Sequence, residues 1–293
     1  MSSVNRFLTT QSRRSRTGNV SQLTGTRSNL RRGQLFGKYK IMGLIGSGGF
    51  ARVYAAGDTI EGIVVALKIP HEQFIDRELL DQIKQEIRIT AKLSHENILA
   101  VKNAEFIDDR LVIVTLLGNE TLEDRLQRRI STQKALGYAE QMVDAVAFAH
   151  ESGVIHCDIK PENFILFDDD VIRLTDFGIA KVSRITIEGS GTGTVGHMAP
   201  EQAMGKPSLR SDVFSLGLIL YRMFAGAWPE YPFHWPPPNA QRLRQRHVHP
   251  ELIAIIKKAI DPKPNARFAD AVRMQAAFEA TLPKAQRNLK RRR

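Results

Sequence analysis

The stretch VIHCDIKPENFILFDDDVIRLTDFG, residues 154–178, constrains this chain more than any other part of it. Two short apolar runs, 164–167 and 171–174, flank the acidic triplet Asp168–Asp170, which predicts a β-hairpin. Around that hairpin stand two carboxylates, Asp158 and Asp176, with the lysine Lys160 and the amide Asn163. The hairpin is expected to be a rigid clip that holds these polar groups at opposite ends. Taken singly, each carboxylate reads as a surface or capping residue. Asp176 before Phe177 and Gly178 reads as a turn.

The rest of the chain divides by periodicity. From Tyr39 onward come β-like runs, 41–45 and 64–69, on either side of the glycine-rich turn Gly46-Ser47-Gly48-Gly49-Phe50-Ala51. Glycines between two strands let backbone N–H groups approach phosphate oxygens with no Cβ in the way, although such a turn alone is most often an ordinary hairpin. Residues 76–93 carry Leu79, Leu80, Ile83, Ile87 and Ala91 at helical spacing, and Glu86 borders that stripe. Runs 100–106 and 111–116 read as two more strands turned by Asp108-Asp109. Thr121-x-x-Asp124 is a capping box. Helices are predicted over 135–152, over 211–225 with Ser211 as cap and Gly226 as stop, and over 250–260 and 267–281. The segment after Ser211 is apolar on every side, so it is expected to be buried. Residues 228–238 form a proline-rich loop.

Composition is that of a globular chain: 293 residues, 42% hydrophobic and 25% charged, enough for one large or two small cores. No run of about 18 uncharged apolar residues predicts a membrane span, and no apolar signal core follows the first arginines. One cysteine, Cys157, excludes an internal disulfide and suits a reducing, cytoplasmic setting. The net charge of +11 belongs to the ends. Residues 1–33 hold seven arginines and 284–293 hold six Lys/Arg, without acids; the remaining 29 cations face 31 acids. Residues 1–36 are therefore expected to be a disordered basic arm and 282–293 a basic tail. A solubilising role is the simplest for both, and electrostatic contact with nucleic acid or an anionic membrane is the alternative.

The order H-x-D-x-K-x-x-N then D-F-G, preceded by a glycine-rich turn and Val65-Ala66-Leu67-Lys68, resembles eukaryotic-type Ser/Thr protein kinases over about residues 37–281. The wording EQAMGKPSLRSDVFSLG is most similar to the bacterial branch. The resemblance implies an α+β bilobal fold, with a small antiparallel β lobe carrying one main helix (37–117) and a larger, mostly helical lobe (118–281). It implies ATP with Mg²⁺ or Mn²⁺, and protein substrates. Asp158 then matches the catalytic base, Lys160 the lysine that steadies the γ-phosphate, and Asn163 and Asp176 the metal ligands. Lys68 matches the phosphate-contacting lysine, paired with Glu86. Nucleotide contacts fall to Ile45, Gly46, Ser47, Gly48, Gly49, Phe50, Val53, Ala66, Thr115 as gatekeeper, Leu116 and Leu117 as hinge, and Ile165. Thr194 matches the residue that hydrogen-bonds the Asp/Lys pair. Glu201 is expected to pair with Arg267, Asp212 to brace the catalytic loop, and His156 to pack structurally beneath Phe177. Glu120 and Glu162 lie where basophilic kinases read arginine, so Arg14-x-x-Thr17 in the arm is a candidate autophosphorylation site.

Four departures stand out. Ala51 replaces the third glycine of the lid, Phe214 a usual Trp, and His197 a usual aromatic. Cys157 replaces the arginine that pairs with a phosphorylated activation loop, a fork a thiol cannot supply. Activity is therefore expected without loop phosphorylation at Thr192 or Thr194, with Lys181 a partial substitute. A pseudokinase scaffold and a small-molecule kinase of the aminoglycoside type are the alternatives; Lys160, the run Met198-Ala199-Pro200-Glu201 and Arg267 argue against the latter.

Overall fold

The computed structural model describes residues 29–72, 77–177, 198–229, 235–237 and 239–290. These form two compact units, one built from the chain up to Lys92 with Leu99–Glu120, the other from Leu93–Ile98 with everything from Thr121 onward. The break falls just past the expected boundary at residue 117.

The first unit is a six-stranded antiparallel sheet in the order β1 (Leu35–Phe36), β2 (Tyr39–Ser47), β3 (Ala51–Asp58), β4 (Val64–Pro70), β6 (Arg110–Leu116), β5 (Val101–Ile107), with one main helix, α1 (Arg77–Thr90). Strand alternation sends Val65, Leu67, Val112 and Val114 to one face, where Tyr39, Ile41, Tyr54 and Ile107 complete a buried cluster. The β5–β6 turn needs left-handed backbone at both central positions; Asp108 and Asp109 supply it with φ of 49° and 60°. The arm expected through residue 36 stops earlier. Leu30 and Phe36 are buried in the same cluster and Leu35–Phe36 pairs with β2, because the few apolar side chains there find a sheet to cover.

The second unit is mostly helical: α2 (Leu122–Leu126), α3 (Thr132–Glu151), α4 (Pro200–Ala203), α5 (Leu209–Ala225), α6 (Gln241–Gln245), α7 (Pro250–Ala259) and α8 (Ala271–Lys290). A small sheet adds β7 (Glu120–Thr121), β8 (Phe164–Leu166) and β9 (Ile172–Leu174). Thr121 caps α2 through the amide of Asp124, as the capping box predicts. Helix α5 is buried on all sides, as its all-round apolar sequence requires. Gly217 in that helix has a steric reason: a Cβ there would lie 2.7 Å from the Ala259 Cβ and 2.8 Å from Ile260 Cγ2. The cap of α5 is Ser208, not Ser211. Ser211 instead takes the third helical position, where its Oγ accepts the Ser208 N–H at 3.1 Å.

The C-terminal tail expected from 282 is instead the last part of α8, which continues through Pro283. Missing one backbone donor is tolerated because the helix has other ties. Ala285 is buried, Leu282 and Leu289 pack on the core, and Lys284 Nζ reaches Glu251 at 2.7 and 2.8 Å. Among the described residues, no helix is long and apolar enough to cross a membrane.

Candidate active site

In the first unit, strand pairing collects most of the nucleotide-contact candidates on one sheet face. Directly opposed residues point the same way, and the register opposes Val53 to Lys68, Ala55 to Ala66, Ala66 to Thr115 and Lys68 to Ile113. Ile45 and Ala55 are buried beside Met42, Val53 and Leu117, giving that face an apolar floor next to Lys68. Leu116 opposes Val65, so its side chain takes the other face. Gly46, Gly48 and Gly49 have no left-handed φ, and an added Cβ at any of them would meet nothing nearer than 3.8 Å. Neither strain nor packing inside the protein requires glycine there, which fits a turn kept bare for a ligand's phosphates. His71, which the sequence reading passed over, pins this turn: its Nε2 lies 3.0 Å from the Gly48 carbonyl and its N–H donates to Phe50 O at 2.8 Å. Glu86 stands in α1, but its side chain lies outside the described residues.

In the second unit the register opposes Phe164 to Leu174, with Ile165 on β8 between them and the hairpin tip. Asn163 and Thr175, next to Asp176, consequently meet at the same open end of the clip, not at opposite ends; Thr175 N–H donates to Asn163 O at 2.8 Å. The clip is tightened by Asp169 and Asp170 at φ 59°, and by Asp170 accepting from Lys134 Nζ at 2.7 Å and Tyr138 Oη at 3.0 Å. Asp158 Oδ2 accepts from Lys160 Nζ at 2.7 Å and from Asn163 Nδ2 at 3.0 Å, and Asn163 Nδ2 also reaches the Asp158 carbonyl at 2.8 Å. Burial works to lower the Lys160 pKa, but the Asp158 carboxylate, helped by Glu162 and Asp176, outweighs it and raises the ammonium above its ordinary value. The lysine is therefore a fixed cation at neutral pH.

The loop carrying Asp158 is held in an unfavourable shape. Cys157 and Asp176 adopt φ of 64° and 65°, conformations that side chains other than glycine rarely take. Asp212, 1% exposed, offsets this: Oδ2 accepts the His156 N–H at 2.7 Å and Oδ1 the Cys157 N–H at 2.9 Å. His156 packs against Phe177 with ring centroids 4.8 Å apart and the rings tilted by 57°, and its Nε2 lies 2.9 Å from Thr175 O. Two further supports were missed from sequence. Gln202 Nε2 donates to the Cys157 carbonyl at 2.5 Å, and His150 Nε2 lies 3.0 Å from Asp212 Oδ2 while its Nδ1 accepts the Ala271 N–H at 2.9 Å. Both are ordinary polar residues whose partners are distant in sequence.

Glu201 and Arg267 form a two-pronged pair at 2.7 and 3.1 Å. Arg267 also lies over the ring of Phe214 at 4.4 Å, so the residue found where Trp is usual still offers an aromatic face. Thr192, Thr194, Lys181 and His197 lie outside the described residues.

Asn163 and Asp176 are hard oxygen donors of the kind Mg²⁺ takes from protein when most of its shell is water and phosphate. No cluster of three or more His, Cys, Asp or Glu that could hold a metal occurs among the described residues.

A model of the protein kinase domain family matches residues 39–278. The chain is 33% identical over 258 residues to a protein of Clostridium acetobutylicum named a probable serine/threonine-protein kinase, covering 81% of this chain and 39% of that one. It is 36% identical over 209 residues to the serine/threonine-protein kinase PknA of Mycobacterium tuberculosis, covering 67% of this chain and 48% of the relative. The chain thus spans less than half the length of either. Among solved structures, the kinase domain of Mycobacterium tuberculosis PknI superposes with a TM-score of 0.67 at 23% identity, over 86% of this chain and 99% of that one.

Proposed function

The chain belongs to the protein kinase family, on its bacterial serine/threonine side, and on that premise we propose that it transfers the γ-phosphate of ATP to Ser or Thr hydroxyls of proteins. The observation that carries this is Asp158 with both Lys160 and Asn163 donating to one of its oxygens. Two donors orient the carboxylate, which suits it to receive a hydroxyl proton, and an ammonium beside it suits a transferring phosphoryl group. Asn163 and Asp176 would hold Mg²⁺ or Mn²⁺, which when bound neutralises charge on the nucleotide phosphates. Lys68 would grip those phosphates with Glu86 as its partner, and Thr194 would bind the Asp/Lys pair. Ile45, Val53, Ala66, Thr115 and Leu117 would receive the base. The N-terminal arm is a candidate substrate, and a single buried cysteine, Cys157, which has no second cysteine to bond with, suits a cytoplasmic setting.

The test is incorporation of labelled phosphate by the purified chain with Mg²⁺ or Mn²⁺, followed by mass-spectrometric mapping. Asp158→Asn should lower the rate by about 10²–10⁴-fold. Equal incorporation by both forms, or none by either, would overturn the reading in favour of a scaffold.

A further inference from the structure

A second concave site lies wholly within the helical unit. It is a cavity of about 230 Å³ between the loop after α2, the end of α5 and the end of α6, and four of its lining residues are arginines: Arg128, Arg129, Arg222 and Arg246. Among the described residues, no acidic side chain lines it. Two of the arginines are fixed before any ligand arrives. Arg222 is gripped by both oxygens of Glu123, one at 3.1 Å, and lies over the Trp228 ring at 4.6 Å. Arg246 donates to the last carbonyls of α5, Met223 O at 3.1 Å and Phe224 O at 3.0 Å, and to Ile130 O. Burial, and then the charge of Arg129, lower the Arg246 pKa from its ordinary value, so the guanidinium sits against a like charge. Glu123 engages one of the four lining guanidinium groups, that of Arg222. Gathering like charges around a concavity is unfavourable for the empty protein and favourable for an anion. Planar guanidinium forks match tetrahedral oxyanions in particular.

We propose that this pocket binds a phosphorylated serine or threonine side chain presented on a peptide. The phosphate is read from the pocket itself. The peptide origin rests on the proposed activity, whose products carry that group. A kinase with such a pocket would hold a previously phosphorylated protein at a point separate from the transfer residues.

Fluorescence anisotropy with the full chain tests this, using a labelled Ala-Ala-pThr-Ala-Ala peptide, its unphosphorylated form, inorganic phosphate as competitor and a DNA duplex. The phosphopeptide should bind at least about tenfold more tightly than the unphosphorylated peptide. Arg128→Ala and Arg129→Ala, both exposed at the rim, should each weaken it by about two- to fivefold, and Asp158→Asn should leave it unchanged. Arg246→Gln removes ties to α5 and would confound folding with binding, which is why the rim variants decide. Equal binding of the two peptides, insensitivity to both rim variants, tighter binding of the duplex, or full competition by phosphate at the peptide's own concentration would each overturn the proposal. The peptides are synthetic, so failure here with phosphate transfer intact removes the pocket alone. Binding without transfer would instead remove the proposed activity.

Discussion

Replacing Glu201 should separate charge from shape at the pair that ties α4 to the segment between α7 and α8. The Arg267 side chain is fully buried and that of Glu201 is 15% exposed. Removing one member of a buried pair strands the other charge and typically costs about 3–5 kcal/mol. Arg267 keeps other partners, donating to Asp261 O at 2.6 Å, Arg210 O at 3.0 Å and Pro262 O at 3.1 Å, besides the face of Phe214. Glu201→Ala should therefore cost about 3 kcal/mol, at the lower limit. Glu201→Gln keeps an acceptor for Arg267 and for Ser211 Oγ, which donates at 2.7 Å, and should cost about 1–2 kcal/mol. At about 2–4 °C per kcal/mol for a chain of this size, thermal melts should fall by roughly 6–12 °C and 2–8 °C. Acidity gives a second reading. Burial pushes Glu201 up, but its hydrogen bonds from Arg267 and Ser211 prevail and hold it below 4.5. A depressed folded pKa gives stability that is present above the unfolded value and lost as pH falls through the folded one. The gap between wild type and Glu201→Gln should stay level from about pH 6 to 8 and close below about 4.5. Equal losses for Ala and Gln at neutral pH, or a gap unchanged in acid, would refute the reasoning.

Gly217→Ala should destabilise by about 1–2 kcal/mol, since overpacking against Ala259 and Ile260 outweighs the better helix propensity, and adding Ala259→Gly should recover part of the loss in urea melts. Asp212→Asn offers one acceptor oxygen where the carboxylate now serves the amides of His156 and Cys157 and the His150 ring, so it should cost about 1–3 kcal/mol and reduce phosphate transfer as Cys157 leaves its left-handed conformation. Because Ala271 N–H already occupies His150 Nδ1, long-range ¹⁵N spectra near pH 8 should show His150 as the Nε2–H tautomer; the opposite tautomer would disprove that hydrogen bond. Burial and the Asp170 carboxylate push Tyr138 up to about 12, so in a 295 nm titration Tyr138→Phe should remove absorbance that otherwise develops near pH 12.

How far these features could be read from sequence depends on how far apart their parts lie along the chain. Asp158, Lys160 and Asn163 fall within six residues, and their types at that spacing already state a chemistry. The structure adds only that two donors meet on one oxygen. The hairpin was legible from its apolar runs, yet which end holds the polar groups followed from register, which no composition encodes. Gln202, His150 and Asn97 serve backbone or side-chain partners 45, 62 and 75 residues away, and each looks like any polar surface residue until the fold closes. The same reasoning accounts for both ends. Leu30 and the Leu35–Phe36 pair are the few apolar side chains in a stretch of arginines and glycines, and Pro283 looks like a helix stop. Each was outvoted by burial against elements far off in sequence. The arginine pocket is the extreme case: its members come from residues 128–129, 222 and 246, and only packing α5 against the loop after α2 turns scattered cations into a concave oxyanion receptor.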